Sequence, residues 1–89
     1  MSDKPKNPQV VIRSKESPSL EEAQTFVGGY VEIVRLNDDS QLLLNENGIL
    51  EGLPPNRHAT RMAKESGINM GSRGILGNVM ILRGDAKWS

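Results

Sequence analysis

Between Glu51 and Gly67 the chain reads EGLPPNRHATRMAKESG, with Asn56, Arg57, the single histidine His58, Thr60 and Arg61 gathered just after two prolines. Free backbone N–H groups at a helix start, together with its macrodipole, favour an anion. Arg57 and Arg61 at that start would make a place for a phosphate. The same residues also serve a purely structural purpose. Asn56 is a good N-cap, Pro55 fixes the angle of approach, and an Arg/Lys row forms a solvated helix face. Both readings stand at this point.

His58 is the only side chain with an ordinary pKa near neutrality, so acid–base chemistry would have to start there. No spacing supplies it with a partner. A metal site needs three or four ligands and a nucleophilic site needs a base and an orienting group. The pairs Glu21–Glu22 and Asp38–Asp39 read as helix surface and turn chemistry. We therefore expect no enzyme, no metal and no cofactor. The glycines at 67, 71, 74 and 77 make turns, since GSRGILG precedes a strand where a dinucleotide loop would open a helix. Trp88, in the polar ending GDAKWS, either folds back over an apolar patch or projects as an anchor for a partner.

The elements that must position these residues are short. Met1 to Gln9 is polar and carries Pro5 and Pro8, the composition of a disordered tail. VVIRSK from Val10 reads as a strand. In SPSLEEAQTFVGG, Ser19 and Glu22 have capping-box spacing, and Leu20, Ala23 and Val27 share a helical face before Gly28 and Gly29. Tyr30 to Leu36 should be a central strand, QLLLN its neighbour across the NDDS turn, and ILEG the last short arm of a meander. A second helix starts at Pro55 or Asn56 and runs to about Ser66, with Ala59, Met62 and Ala63 on one face and Arg57, Arg61 and Lys64 nearly opposite. Val79 to Leu82 suits a buried strand.

The expected fold class is α+β, in two layers, with two short helices on one face of a mainly antiparallel sheet of about four to five strands. The order also fits a split βαβ arrangement. At 89 residues this is one domain, taken as 10–84, between the N-terminal tail 1–9 and a C-terminal tail 85–89. Only 36% of the chain is hydrophobic and 3% aromatic, so its core must be aliphatic and self-association as a homodimer would help it. Lys+Arg and Asp+Glu both number 11. That balance, with so few aromatics, speaks against dedicated nucleic-acid binding. Arg73, with Arg57, Arg61 and Lys64, makes the second half moderately basic. The chain has no cysteine, no apolar run approaching the ~20 residues of a membrane span and no apolar leader, so it reads as intracellular.

VGGYVEIV, LLLNENGILEGLPPN and RHATRMA, read with ILGNVMIL, resemble a family of small proteins of unknown function from bacteriophages and plasmids. Its pattern is Val-Gly-Gly-Tyr, Asn-Glu-x-Gly, Leu-Pro-x-Asn, Ala-Thr and a late strand opening at Gly-Asn. The likeness runs from about Val27 to Leu82. It implies a mobile-element source and action in a bacterial host cytoplasm, and among the matching polar positions are Asn45, Glu46, Asn56 and Thr60.

The leading expectation is a non-catalytic phage accessory protein that binds and modulates a bacterial host protein. It would use Asn45, Glu46, the stretch Asn56, Arg57, His58, Thr60 and Arg61, and Trp88. The alternative is a protein that binds or sequesters a small, nucleotide-like anion, and a third is nucleic-acid binding.

Overall fold

The structure is a computed structural model in which residues 8–68, 71 and 74–88 are described. The segment 1–7 of the expected N-terminal tail and the loop residue Arg73 lie outside them. Four strands form one sheet: β1 (Val10–Arg13), β2 (Val31–Arg35), β3 (Gln41–Asn45) and β4 (Val79–Leu82), in the spatial order β1-β4-β3-β2. β1 runs parallel to β4, and the other two pairings are antiparallel. With helices α1 (Leu20–Val27) and α2 (Arg57–Glu65), this is the expected α+β class with a mostly antiparallel sheet.

The layering differs from expectation. In β3 and β4 every residue is buried. Because alternate residues face opposite sides of a sheet, such strands leave two faces to cover. Leu42, Leu44, Val79 and Ile81 meet Ala59 and Ala63 of α2, while Leu43, Met80 and Leu82 meet Ala23 of α1. The helices therefore lie on opposite faces rather than sharing one. β1 and β2 are parallel to each other at the two edges, with two strands between them, so the order is not that of a simple split βαβ unit.

Two further expectations are corrected. β2 is an edge strand and not a central one. Its Glu32, Ile33 and Arg35 are exposed, whereas β3 and β4 carry the uninterrupted apolar runs that a sheet interior demands. ILEG is not a strand arm but part of a tight turn, closed by bonds from the Glu51 N–H to the Asn47 carbonyl (2.9 Å) and from the Leu53 N–H to the Gly48 carbonyl (3.0 Å). β3 already has β2 and β4 beside it, so a third arm has no edge to join.

The helix boundaries follow their caps. The Ser19 hydroxyl accepts the Glu22 N–H (3.0 Å), and Gly28, at φ +86°, ends α1 in the left-handed conformation that glycine adopts without strain. The Glu22 carboxylate turns to Arg13 of β1, tying α1 to that edge. α2 starts at its Asn56 cap and buries Ala59 and Ala63, with Met62 packed beside them, as the wheel predicts.

Candidate functional site

Two polar residues of the second helix start, Asn56 and Thr60, are occupied inside the fold. Asn56 is only 1% exposed. Its side-chain oxygen accepts the Ala59 N–H (3.0 Å), its side-chain amide donates to the carbonyls of Gly77 (2.9 Å) and Gln9 (3.2 Å), and its backbone N–H donates to the Ile75 carbonyl (2.8 Å). Thr60 donates its hydroxyl to the Asn56 carbonyl (2.8 Å) and accepts the Ile75 N–H (2.9 Å). One capped turn thereby fastens α2 to the segments leading into β1 and β4. Arg57, His58, Arg61 and Lys64 stay exposed. Arg57, Arg61 and Lys64, with Pro55 and Thr60, line a shallow depression of about 340 Å³. None of these three cations joins an ion pair among the described residues.

Asn45 and Glu46, neighbours in sequence, part company. Asn45, at the end of β3, is buried; its amide donates to the Val27 carbonyl (3.2 Å) and its side-chain oxygen accepts the Asn47 N–H (2.7 Å). That second bond starts the turn through Gly52. Glu46 is exposed, and its N–H donates to the Tyr30 carbonyl (2.9 Å). The turn rises beside the end of the sheet and closes a groove of about 430 Å³. Leu44 and Leu76 are among its apolar walls, Glu32 and Glu46 are its charged lining, and Ile49 and Leu50 form an apolar rim. Ile49 is 60% exposed and Leu50 86%.

Beside this groove runs the free edge of β2. The Leu36 N–H donates to the Ser40 carbonyl and the Glu46 N–H to the Tyr30 carbonyl, which fixes the phase of the ladder. In an antiparallel pair the bonded residues alternate, so with Glu32 opposite Leu44 and Val34 opposite Leu42, the even residues of β2 face β3. The N–H and C=O groups of Val31, Ile33 and Arg35 point outward, where no described strand lies. Ile33 is half exposed and Tyr30 more so.

Trp88 takes the folded-back alternative. Its indole N–H donates to the Pro18 carbonyl (2.9 Å), and its ring packs on the cluster of Ala23, Leu43, Met80 and Leu82. Gln41 clasps its backbone from both sides, donating to the Trp88 carbonyl (2.6 Å) and accepting its N–H (2.7 Å). Ser17 donates to the Ala86 carbonyl (2.7 Å), so 84–88 closes over the α1 face.

The residues singled out from sequence thus fall in three places: Glu46 with Asn45 beneath it at the groove, Arg57 and Arg61 at the depression with Asn56 and Thr60 behind them, and Trp88 on the other face. His58 stands exposed on α2. Among the described residues no three His, Asp or Glu side chains cluster as metal ligands. Sequence reading passed over Glu32, Ile33, Ile49 and Leu50. The available signals were a carboxylate set between apolar residues of a strand and an apolar pair adjoining the Gly48 turn.

Two acidic side chains, Asp38 and Asp39, are shifted. Hydrogen bonds from Ser40, and then the charge of Arg83, hold Asp38 below the ordinary carboxylate range. The hydrogen bond and charge of Lys87, with a lesser contribution from Arg35, do the same for Asp39. Both belong to the turn between β2 and β3.

Among the described residues no helix is long and apolar enough to cross a membrane. No curated protein and no solved structure matches the chain. A family profile does, over residues 3–88, essentially the whole folded part described above, and the chain belongs to that family, the domain of unknown function DUF3846.

Proposed function

We propose that this chain is a non-catalytic accessory protein of a bacteriophage or other mobile element, which binds a bacterial host protein in the cytoplasm and modulates it. The observation that carries the reading is the β2 edge, unpaired among the described residues, lying beside a groove with an apolar rim. An edge strand offers a row of unpaired backbone donors and acceptors, which natural proteins usually blunt or cover. Here the half-exposed Ile33 sits in the middle of that row, and Ile49 and Leu50 stand out to solvent at the groove beside it. Expression of the tagged chain in a bacterial host, with mass spectrometry of what co-purifies, should enrich a host protein. Ile33→Lys should lose it. Enrichment of no host protein over an untagged control would end the reading.

A second reading rests on the depression at α2. Arg57, Arg61 and Lys64 converge there without ion-pair partners among the described residues, a suitable setting for a nucleotide-like anion. A bound anion would raise the melting temperature by mass action, and Arg61→Ala would remove the shift. A panel of nucleotides that leaves the melting temperature unmoved would exclude it.

A further inference from the structure

The β2 edge and its groove also specify what kind of segment they accept, an inference that rests on the host-binding reading and adds the chemistry of the partner. β2 offers three outward-facing residues, Val31, Ile33 and Arg35, for backbone pairing. The opposite edge offers less. The carbonyls of Gln9, just before β1, and of Arg13 accept the N–H groups of Val79 and Arg83, which leaves only Val10 and Ile12 of β1 facing out, and Pro8 precedes them.

A strand laid beside β2 sends alternate side chains to the two sides of the sheet. On the α1 side they come next to Ile33, flanked by Val31 and Arg35. On the α2 side they come next to Glu32 and Val34, at the groove. Glu32 and Glu46 are the charged residues lining that groove, both carboxylates, and neither joins an ion pair among the described residues. Two carboxylates lining one groove select a cation by charge complementarity. Leu44, Leu76, Ile49 and Leu50 can receive the aliphatic stem that carries it.

We infer that the partner contributes an extended segment in which Lys or Arg alternates with β-branched or other apolar residues, added as a fifth strand at β2 with its cation between Glu32 and Glu46. Backbone pairing supplies affinity and the alternate side chains supply selectivity.

The test pans a display library of short random peptides on the full chain. Enriched peptides should carry Lys or Arg at alternate positions between apolar residues. A synthetic peptide of the consensus should protect the Val31, Ile33 and Arg35 amides from hydrogen exchange. Glu32→Gln combined with Glu46→Gln should weaken it about tenfold, as expected for the loss of two close charge pairs. Ile33→Lys should abolish binding and Arg61→Ala should leave it unchanged. Ile33→Pro, which removes only an outward N–H, gives a second disruption of the edge; circular dichroism verifies that both variants fold.

The inference is overturned by peptides without basic residues, by protection elsewhere than β2, or by no enrichment. It is equally overturned by light scattering that shows a dimer which Ile33→Lys turns to monomer, since a second copy would then occupy the edge. A host protein captured equally well by the parent and by Ile33→Lys would remove this inference and leave the host-binding reading standing. Basic peptides that bind the edge, with no host protein captured, would remove only the reading.

Discussion

Asn56 shows how a side chain that looks like a ligand contact can be committed to the fold. Its cap to Ala59 and its two donated bonds, to Gly77 and Gln9, join α2 to the segments before β4 and β1. Losing an N-cap costs about 0.5–2 kcal/mol, and leaving a buried partner unsatisfied adds about 1–3 kcal/mol. Asn56→Ala should therefore lower the unfolding free energy by roughly 2–4 kcal/mol in urea titration. Asn56→Ser, which keeps the cap acceptor but loses both amide donors, should fall between. Equal losses in the two variants would mean that the cap contributes nothing. Asp39 offers a second residue-scale test. It adopts φ +69°, a conformation asparagine also tolerates, so Asp39→Asn changes charge with little change of backbone. Lys87 lowers its folded pKa. The stabilisation is then complete above the ordinary Asp value of about 3.9 and is lost as pH falls through the lower folded value. Parent and Asp39→Asn should differ in melting temperature at neutral pH, and the gap should close in strong acid.

For the elements, the phase of β2 makes a sharp distinction between neighbouring residues. Val34 sits in a bonded pair with Leu42, so Val34→Pro should break the ladder and destabilise markedly, while Ile33→Pro should be tolerated. The two melting temperatures measure the difference, and similar losses would refute the assigned phase. Hydrogen exchange provides the same information without mutation: the amides of Glu32 and Val34 should be slow and those of Ile33 and Arg35 fast. Much of this level was legible in the sequence. Ser19 and Gly28 mark both ends of α1, and Asn56 marks the start of α2. The place of β2 was harder, because Tyr30 to Leu36 has the composition of a strand and composition does not say how many neighbours a strand has. ILEG misled for a related reason. Its apolar pair suits a strand, but the turn begun by Asn45 closes on itself, and β3 is already paired on both sides.

At the scale of the whole molecule, the runs LLL of β3 and VMIL of β4 contained the decisive signal for layering. Strands buried on both faces require cover on both sides, and two helices can provide it only by dividing the work. Strand order was not legible, since it depends on long-range pairing such as Val10 with Val79. Nor was the groove, which exists only where the end of β3 meets the following turn and Leu76 returns beside it. Burial in two small clusters makes each vulnerable. Leu43→Ala and Leu42→Ala, on opposite faces, should each cost about 2–5 kcal/mol by the usual range for large-to-small core changes. Chemical denaturation should remain a single transition in both variants, because the same two strands form the floor of both clusters. Separate unfolding of one face would contradict a shared sheet.

The docking of Trp88 has an optical corollary. The chain holds one indole, anchored to Pro18 and Gln41 against the layer that α1 covers, and one phenol, Tyr30, beyond the start of β2. Emission from the first reports when the closing segment lifts away, and absorption by the second senses an occupant at the strand's start. Each fluorophore therefore watches a different event, with no label attached.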